Sequence, residues 1–503
     1  MPLLQSAAAF SGSLLPLLAI GAPLAGAVLI AVSGRWPNLR ESWTILASVA
    51  AAAFVLAMLP STLDGDPAQV QLFDLVPGTP LAFRADAAGM VFAVLASVLW
   101  IVTSFYSIGY MRAMQEHKQT RYYAAFAVSV ASALGVALAS NLITFVLFYE
   151  LLTVATYPLV AHSETPEAVR AGRKYLGYTL TGGLALIGAA AWIHMLGLDG
   201  AFQPGGSLGE IPDQTATIWG LFALLAFGVG VKAAVMPLHS WLPSAMVAPT
   251  PVSALLHAVA VVKAGAFGFV RVIGFIFGAG ILHDTGAWEV LAILAAGTLL
   301  TSSILALRMD HLKQRLAYST ISHLSYIVLG VALLGPVAWA GALLHIVAHG
   351  FTKITLFFCA GAIHVRTHHD YVSEMSGIGR QMPFTMAAFT LASLSMIGIP
   401  PFIMFASKWL LGSGAAAEGQ ELYLVVYMLG GLLAGAYLLP IVFRAFFRQS
   451  EEFKSFGEAS PMLVVPLVVT GTLTLLWGIV PDIPFRFLEM AQDAANAVTG
   501  GES

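Results

Sequence analysis

Charged side chains inside long apolar stretches are the residues of this sequence best suited to chemistry. Lys232 and Lys263 lie in apolar surroundings long enough to cross a bilayer, and Glu150 occupies the centre of another apolar segment. An ammonium group near the middle of a membrane costs roughly 3 kcal/mol on insertion scales, so such residues usually have a function. A lysine that only extends its amine to the membrane surface is the simpler explanation. Glu150 favours function, because its carboxylate can pair with one of the lysines, and we interpret the set as an ion pathway.

A second polar set follows one helical face. His345, His349 and Lys353 are spaced four residues apart, so they stack along one side of a helix. A polar stripe on a membrane helix should face protein or water, and neutral imidazole can pass protons near physiological pH. Hydrogen bonding to neighbouring helices is the alternative role for each histidine. The other polar candidates in such segments are His257, His323 and Lys408.

The histidine pair also raises the question of a metal. Two histidines four residues apart, such as His345 and His349, can ligate zinc. Neither an HExxH pattern nor a nearby acidic residue accompanies this pair, so we predict no metal site and no cofactor. Cys359 is the only cysteine, which excludes a disulfide, an iron–sulfur cluster or a thiolate zinc site within the chain.

Two of the apolar segments are interrupted by proline. Pro237 follows Lys232 closely, and Pro400 and Pro401 precede Lys408. Proline breaks a helix, and the freed backbone groups then need water, side chains or ions as partners. Prolines that only bend helices for packing do not explain a lysine beside each break. Broken helices at corresponding places in two halves are typical of inverted repeats with an ion path near the membrane midplane.

The composition defines the class of protein. Hydrophobic residues make up 58% of the chain and charged residues 10%, and apolar runs long enough to span the bilayer follow one another. We predict an all-α polytopic membrane protein with about fourteen transmembrane helices. A β-barrel would instead show short alternating segments. The segments lie near 12–32, 43–60, 86–108, 122–140, 141–161, 172–196, 216–236, 251–277, 287–307, 315–334, 338–363, 383–412, 420–447 and 461–480.

The segment count also predicts the organisation of the chain. The breaks fall in the seventh and twelfth segments, five apart, and an odd number of crossings turns the second unit upside down. Helices 4–8 and 9–13 therefore form a predicted pair of inverted five-helix repeats. The predicted regions are 1–120 with helices 1–3, 121–277 and 287–450 with the two repeats, and 455–503 with helix 14 and the tail. These regions contain too few polar residues for a soluble catalytic domain, so we predict no covalent chemistry and no nucleic-acid partner.

Loop charges predict the orientation. Odd-numbered connections are rich in lysine and arginine, as in the third, with Arg112, Lys118 and Arg121. By the positive-inside rule these connections are cytoplasmic, and both termini lie outside. Apart from Arg84, the even-numbered connections carry mainly acidic residues, namely Asp64, Asp66, Asp74, Asp199, Glu210, Asp213 and Asp284.

Several long motifs resemble one known family. They are VKAAVMPLHSWLPSAMVAPTPVSALLHAVAVVKAG from Val231 to Gly265, FYELLTVATYPLVAH from Phe148, LAYSTISHLSYIVLG from Leu316 and GIPPFIMFASKW from Gly398. Over about residues 85–450 the chain is similar to the proton-conducting antiporter-like subunits. These occur in respiratory complex I, in membrane-bound hydrogenases and in Mrp-type Na⁺/H⁺ antiporters. The resemblance implies partner membrane subunits, a bacterial inner membrane, and transport of protons and Na⁺.

The resemblance also assigns roles to residues. Glu150 and Lys232 match the family's gating pair, and Lys263 with His257 match its central connecting residues. Lys353 falls on the polar axis of the second half, and Lys408 matches the terminal site. A lysine at that site disfavours the complex I homologue that carries glutamate there.

Chain length separates the remaining members of the family. The sequence has no room for the lateral helix of the largest complex I homologue or for the extended part of the large A-type Mrp subunit. The D-type Mrp subunit is therefore the most similar, and the expected function is proton translocation in a multi-subunit Na⁺/H⁺ antiporter. The alternative is a pumping subunit of complex I, then part of a translocating NADH:quinone oxidoreductase, or of a hydrogenase. A third class would couple the chain to inorganic carbon uptake.

Overall fold

The computed structural model describes residues 11–209 and 215–500. Within these ranges, 12 helices are long and apolar enough to cross a membrane. They confirm the prediction of a polytopic helical membrane protein. These helices are α1 Leu15–Val32, α2 Pro37–Leu63, α3 Ala87–Ala113, α4 Gln119–Leu138, α5 Leu142–Val160, α6 Pro166–Met195, α7 Thr215–Ala233, α8 Thr250–Phe277, α9 Ala287–Arg308, α11 Pro336–Thr367, α13 Glu421–Phe447 and α14 Pro461–Ile479.

Two further segments complete the fourteen that the sequence predicts. The tenth is helix α10, Leu312–Ala332, and the twelfth is α12, whose two parts are Pro383–Ile397 and Ile403–Ala417. An amphipathic helix, α15 (Phe487–Thr499), follows α14 and packs against α11 and α3. Short helical turns also lie at Trp241–Ser244, Ala279–Thr285 and Ile378–Gln381.

A small antiparallel sheet, which the apolar pattern of the sequence does not predict, combines a hairpin in the connection after α2 with a short strand that precedes α1. Its strands are β1 Ser11–Gly12, β2 Gln69–Val76 and β3 Thr79–Arg84, in the order β1-β2-β3. Gln69 pairs with Arg84 across the hairpin, whose turn contains Gly78 at a φ of +78°. A positive φ of this kind suits glycine, which has no Cβ to clash with the backbone.

The ends of several helices follow from local sequence. The side chain of Asn141 accepts a hydrogen bond from the backbone N–H of Thr144 at 2.8 Å and so begins α5. Thr165 accepts from Ala168 at 3.2 Å, and Pro166 at the first position of α6 has no N–H to leave unpaired. These caps fix where the two helices begin, and α5, which carries Glu150, packs against α6.

Both predicted helix breaks are present. Helix α7 ends at Ala233, one residue after Lys232, and the next long helix begins at Thr250. In α12 the first part ends at Ile397, and Gly398 at a φ of +92° turns the chain before the second part begins. Lys232 therefore precedes its break, whereas Lys408 follows its own.

Two helices form the centre of the molecule. The apolar stretches of helices α8 and α11 are completely buried inside the protein. Helix α11 packs against α3, α8, α10, both parts of α12, α14 and α15. Together α8 and α11 carry His257, Lys263, His345, His349 and Lys353. The polar stripe that the sequence predicts therefore faces protein.

The connections gather at two opposite ends, as the charge alternation implies. At one end Phe83 pairs with Ala139, and Asn141 pairs with Ala201, which joins even-numbered connections. At the other end the odd-numbered connections meet, and Arg121 donates to the carbonyl of His162 at 3.2 Å. Glu210, Asp213 and both chain termini lie outside the described residues. The region boundaries at 120, 277 and 450 stay a prediction.

Candidate functional site

The predicted acid–amine pair is present between α5 and α7. Oε1 of Glu150 lies 4.0 Å from Nζ of Lys232, whose side chain is fully buried, while that of Glu150 is 21% exposed. The Lys232 ammonium also donates to the carbonyl of Tyr149 and lies 3.4 Å from the centroid of the Tyr149 ring. Lys232 thus has partners for its charge besides the carboxylate, and Oε1 of Glu150 has no hydrogen-bond partner within the described residues.

Glycines make room for this pair. A Cβ built on Gly183 of α6 would overlap the Glu150 carboxyl group. A Cβ on Gly265 of α8 would overlap the backbone at Lys232 and Ala233. The positions of both charged groups therefore depend on the absence of a side chain on the neighbouring helices.

The backbone groups freed at the first break have partners. The N–H of Met236 donates to Oγ1 of Thr298 at 3.0 Å, and the indole N–H of Trp241 donates to the carbonyl of Val231 at 2.8 Å. Side chains thus satisfy the break around Pro237, as a membrane protein requires.

At the second break a lysine takes this role. Nζ of Lys408 donates to the carbonyls of Met396 at 2.8 Å and Ile397 at 3.0 Å, the last carbonyls of the first part of α12. A cation at the C-terminus of a helix is favoured by the helix dipole. Lys408 therefore bridges the break that contains Pro400 and Pro401, and its ammonium lies 5.0 Å from the Tyr326 ring centroid.

A buried contact joins the two central helices. Nζ of Lys263 in α8 lies 2.8 Å from Nδ1 of His349 in α11, and both side chains are fully buried. This is the point at which the first predicted repeat meets the second.

From His349 a line of polar rings continues across α10. The His323 ring of α10 stacks on His349 at 5.6 Å between centroids, and its Nδ1 lies 3.2 Å from Nε2 of His345. Nδ1 of His345 lies 2.9 Å from Oγ of Ser407, which precedes Lys408 in the sequence. We name Lys263, His349, His323, His345 and Ser407 the central line.

Two predicted site residues lie beside the central line. Lys353 donates to the carbonyl of Leu316 at 3.2 Å and to Oγ of Ser319 at 2.9 Å, so it is anchored to α10 instead of the histidines. The His257 ring lies 4.8 Å from that of Phe357, and neither of its nitrogens has a hydrogen-bond partner among the described residues. His257 lies in a π-helical stretch, Leu255–Val259, a local distortion often found at functional sites.

A gap separates the acid–amine pair from the central line. In residues 11–209 and 215–500, no side-chain hydrogen bond joins Lys232 to Lys263 or to His257. A proton moving between them needs water or a side-chain movement.

Several contributors to the site carry no signal that sequence reasoning could use. Tyr149, Ser407 and Ser319 are neutral residues in apolar helices, and only tertiary contacts reveal them. Asp86 caps α3 and pairs with the buried Arg271 of α8 at 2.6 Å. This last pair could have been found from the sequence, because Arg271 lies in an apolar segment and Asp86 lies at the start of a different apolar segment.

A polar cavity opens at the end where the odd-numbered connections meet. Its volume is 880 Å³, and its lining includes Glu116, Glu167, Arg170, Lys174, Lys313 and Asp370. His364 and Lys313 lower the pKa of the Asp370 carboxyl, although its partial burial acts in the opposite direction. The cavity therefore retains charged groups of both signs.

The chain is similar to known membrane subunits. The family described as NADH:quinone oxidoreductase/Mrp antiporter, TM, matches residues 139–434. NADH-quinone oxidoreductase subunit N of Desulforudis audaxviator is 32% identical over 86% of this chain and 87% of its own. The A1 subunit of the Na(+)/H(+) antiporter of Staphylococcus aureus is 27% identical over 93% of this chain and 61% of its own.

A solved structure shares the fold. A chain of the Mrp complex from Dietzia sp. DQ12-45-1b superposes with a TM-score of 0.85 at 23% sequence identity, over 97% of each chain. The similarity extends beyond the family match at 139–434 to nearly the whole chain.

Proposed function

Because this chain belongs to the NADH:quinone oxidoreductase/Mrp antiporter transmembrane family, we propose that it moves protons for the exchange of Na⁺. It is an antiporter-like, proton-translocating membrane subunit, and its relatives work within multi-subunit membrane complexes. More specifically, we propose that the chain is a subunit of an Mrp-type Na⁺/H⁺ antiporter in the bacterial inner membrane. Partner membrane subunits and Na⁺ belong to that proposal.

The central line is the observation that carries the proposal. It connects α8 with the second part of α12 by contacts of 2.8 Å, 3.2 Å and 2.9 Å, with one ring stack between them. Its groups are amine, imidazole and hydroxyl, all of which can accept and donate protons. A row of such groups inside apolar helices costs free energy, so a proton path explains it better than packing does.

We assign Glu150 and Lys232 to the gate of this path. Two unit charges 4 Å apart attract by about 4 kcal/mol at an effective dielectric constant of 20. Movement of Glu150 away from Lys232 removes that attraction, which corresponds to about a thousandfold change in the protonation equilibrium. The proton then passes to Lys263, with His257 beside it, and leaves near Lys408.

The experiment is cation exchange in everted vesicles that contain the whole complex. After a proton gradient has been established, added Na⁺ should collapse it, as followed by a pH-sensitive dye, whereas choline should not. Vesicles that lack this chain are the control. A gradient that is insensitive to Na⁺, K⁺ and Li⁺ would refute the antiporter proposal.

The alternative function is proton pumping driven by a redox reaction. It is supported by the 32% sequence identity to an NADH-quinone oxidoreductase subunit over 86% of this chain. In that case NADH should build a proton gradient in the same vesicles. A Glu150→Gln or Lys232→Ala variant would lower that gradient, since the same path is proposed for both functions.

For the orientation we propose that the end with the polar cavity is cytoplasmic. Single cysteines in place of Glu167 or Asp310 should then react only with reagents that reach the cytoplasm. A cysteine in place of Asp284, whose side chain is 85% exposed, should react from outside. The native Cys359 is buried, so the parent protein is the control. Labelling of the Glu167 position from outside would overturn this orientation.

A further inference from the structure

A cluster of potential metal ligands lies at the cavity end of the molecule, away from the central line. Ligand atoms of Glu116, His117 and His162 all lie within 4.8 Å of one another. Glu116 and His117 belong to the loop between α3 and α4, and His162 follows α5. The cluster thus joins two connections that are distant in the sequence.

His162 is the unusual member. Its side chain is fully buried, and neither ring nitrogen has a hydrogen-bond partner in the described part of the chain. Its Nε2 lies 3.6 Å from Oε2 of Glu116. A buried imidazole without partners costs free energy, and such a group calls for an explanation such as an ion.

The distances suit a small cation once the ligands move towards it. Nδ1 of His117 lies 3.9 Å from Oε2 of Glu116. Zinc bonds of about 2.0–2.1 Å place tetrahedral ligand atoms about 3.3 Å apart. The two contacts with Glu116 therefore need to shorten by about 0.3 and 0.6 Å. The two imidazoles, whose ligand atoms lie within 4.8 Å of each other, must also approach, and His117 can move because 43% of its side chain is exposed.

The local charges also permit a cation. Glu164 accepts hydrogen bonds from Lys118 and Arg121, and its Oε2 lies 3.9 Å from Nε2 of His117. Together with Glu116, the two carboxylates therefore equal these two positive charges in number. The ion-pair partners of the Glu116 carboxylate, among the residues that the structure describes, are the two histidines alone.

We propose that Glu116, His117 and His162 bind one divalent transition-metal ion with the ligand preferences of zinc. Two imidazoles and a carboxylate supply three ligands, and water completes the tetrahedron. Imidazole ligands select transition metals over Mg²⁺ and Ca²⁺, which prefer oxygen. The bound ion would link the α3–α4 loop to the end of α5, the helix that carries Glu150.

The test is a Zn²⁺ titration of the full-length protein, purified in detergent and freed of metal, against a chromophoric chelator. The parent should bind Zn²⁺ at this site, and His117→Gln should lower that affinity by more than the about 10- to 100-fold typical of outer-shell substitutions. His369→Gln is the matched control, because His369 is a part-exposed histidine at the same end and pairs with Glu452. Equal Zn²⁺ affinity in the parent and in His117→Gln would overturn the proposal.

A spectroscopic measurement tests whether Glu116 and the buried His162 bind the metal. Co²⁺ in place of Zn²⁺ should give the strong visible absorption of a tetrahedral nitrogen–oxygen site, and Glu116→Gln should abolish it. His162→Gln should abolish it too, with its circular dichroism compared with that of the parent to exclude unfolding. A Co²⁺ spectrum of six-coordinate, water-like character in the parent would contradict the site.

Discussion

We expect Lys232→Ala to abolish cation/proton exchange in everted vesicles while the assembled complex remains detectable. The substitution removes the amine that lies 4.0 Å from Glu150, together with its bond to the Tyr149 carbonyl. A smaller side chain leaves space that water can fill, since the site is lined by polar groups. The helix break itself is held by Trp241 and Thr298, so the fold around it should persist.

Lys232→Arg distinguishes proton transfer from a structural ion pair. Arginine keeps the positive charge but does not lose its proton in proteins. If Lys232 only balances Glu150, arginine should restore exchange; if it must release a proton, the variant should be as inactive as alanine. Lys454→Ala, at an exposed lysine between α13 and α14, is the matched control and should exchange normally. Full activity of Lys232→Arg would contradict a proton-transfer role.

The architecture followed from the sequence because its signals are local. Apolar runs define membrane helices, and the predicted seventh segment, 216–236, agrees with Thr215–Ala233 to within a few residues. Prolines and glycines define breaks, so both broken helices were predicted at the right places. The small sheet was missed because strands β2 and β3 lie in a connection, where a short alternating pattern is a weak signal beside the long apolar runs.

The site was predicted in its residues but only partly in its contacts. His323, His345 and His349 are identifiable in the sequence because they are among the few polar residues in apolar segments. Their order depends on how α10 and α11 face each other, which a single sequence does not encode. Lys353 illustrates this. Its spacing in the sequence places it on the same helical face as His345 and His349, yet its amine donates a hydrogen bond to Ser319 on α10.

The cluster of Glu116, His117 and His162 shows the same limit at longer range. Two whole helices, α4 and α5, separate His162 from Glu116 and His117 in the sequence, and the three come together only where two connections meet. The prediction of no metal site rested on the spacing of residues near His345 and His349. Sequence spacing cannot reveal a cluster whose members lie far apart in the chain. Contacts between connections therefore needed the structure.

The largest effect after that of Lys232 is expected at Glu150. Glu150→Gln keeps the shape and the hydrogen-bonding capacity but removes the charge, so the attraction of about 4 kcal/mol on Lys232 is lost. Exchange should fall steeply. Glu150→Asp keeps the charge but shortens the side chain by one methylene group, so it should retain partial activity with a shifted pH optimum. Both variants are measured over a pH series in the same vesicles.

A substitution on the neighbouring helix moves the carboxylate without changing its charge. A Cβ at position 183 would overlap the Glu150 carboxyl group, so Gly183→Ala should displace it and lower exchange. Gly188→Ala is the matched control on the same helix, because a Cβ there meets no atom of the described chain within 4 Å. Equal exchange in the two alanine variants would show that the position of the carboxylate is unimportant.

The competing explanation, that Glu150 only supports helix packing, predicts a different order of activities. Its Oε1 has no hydrogen-bond partner among residues 11–209 and 215–500, so a packing role would rest on shape, which glutamine preserves and aspartate does not. Under packing, Glu150→Gln should be at least as active as Glu150→Asp. Under gating, aspartate should be the more active, because a carboxylate in an apolar segment and its lysine stabilise each other only while both are charged. An active glutamine variant beside an inactive aspartate variant would leave Lys232 without its gate, and the proton path would need another entrance.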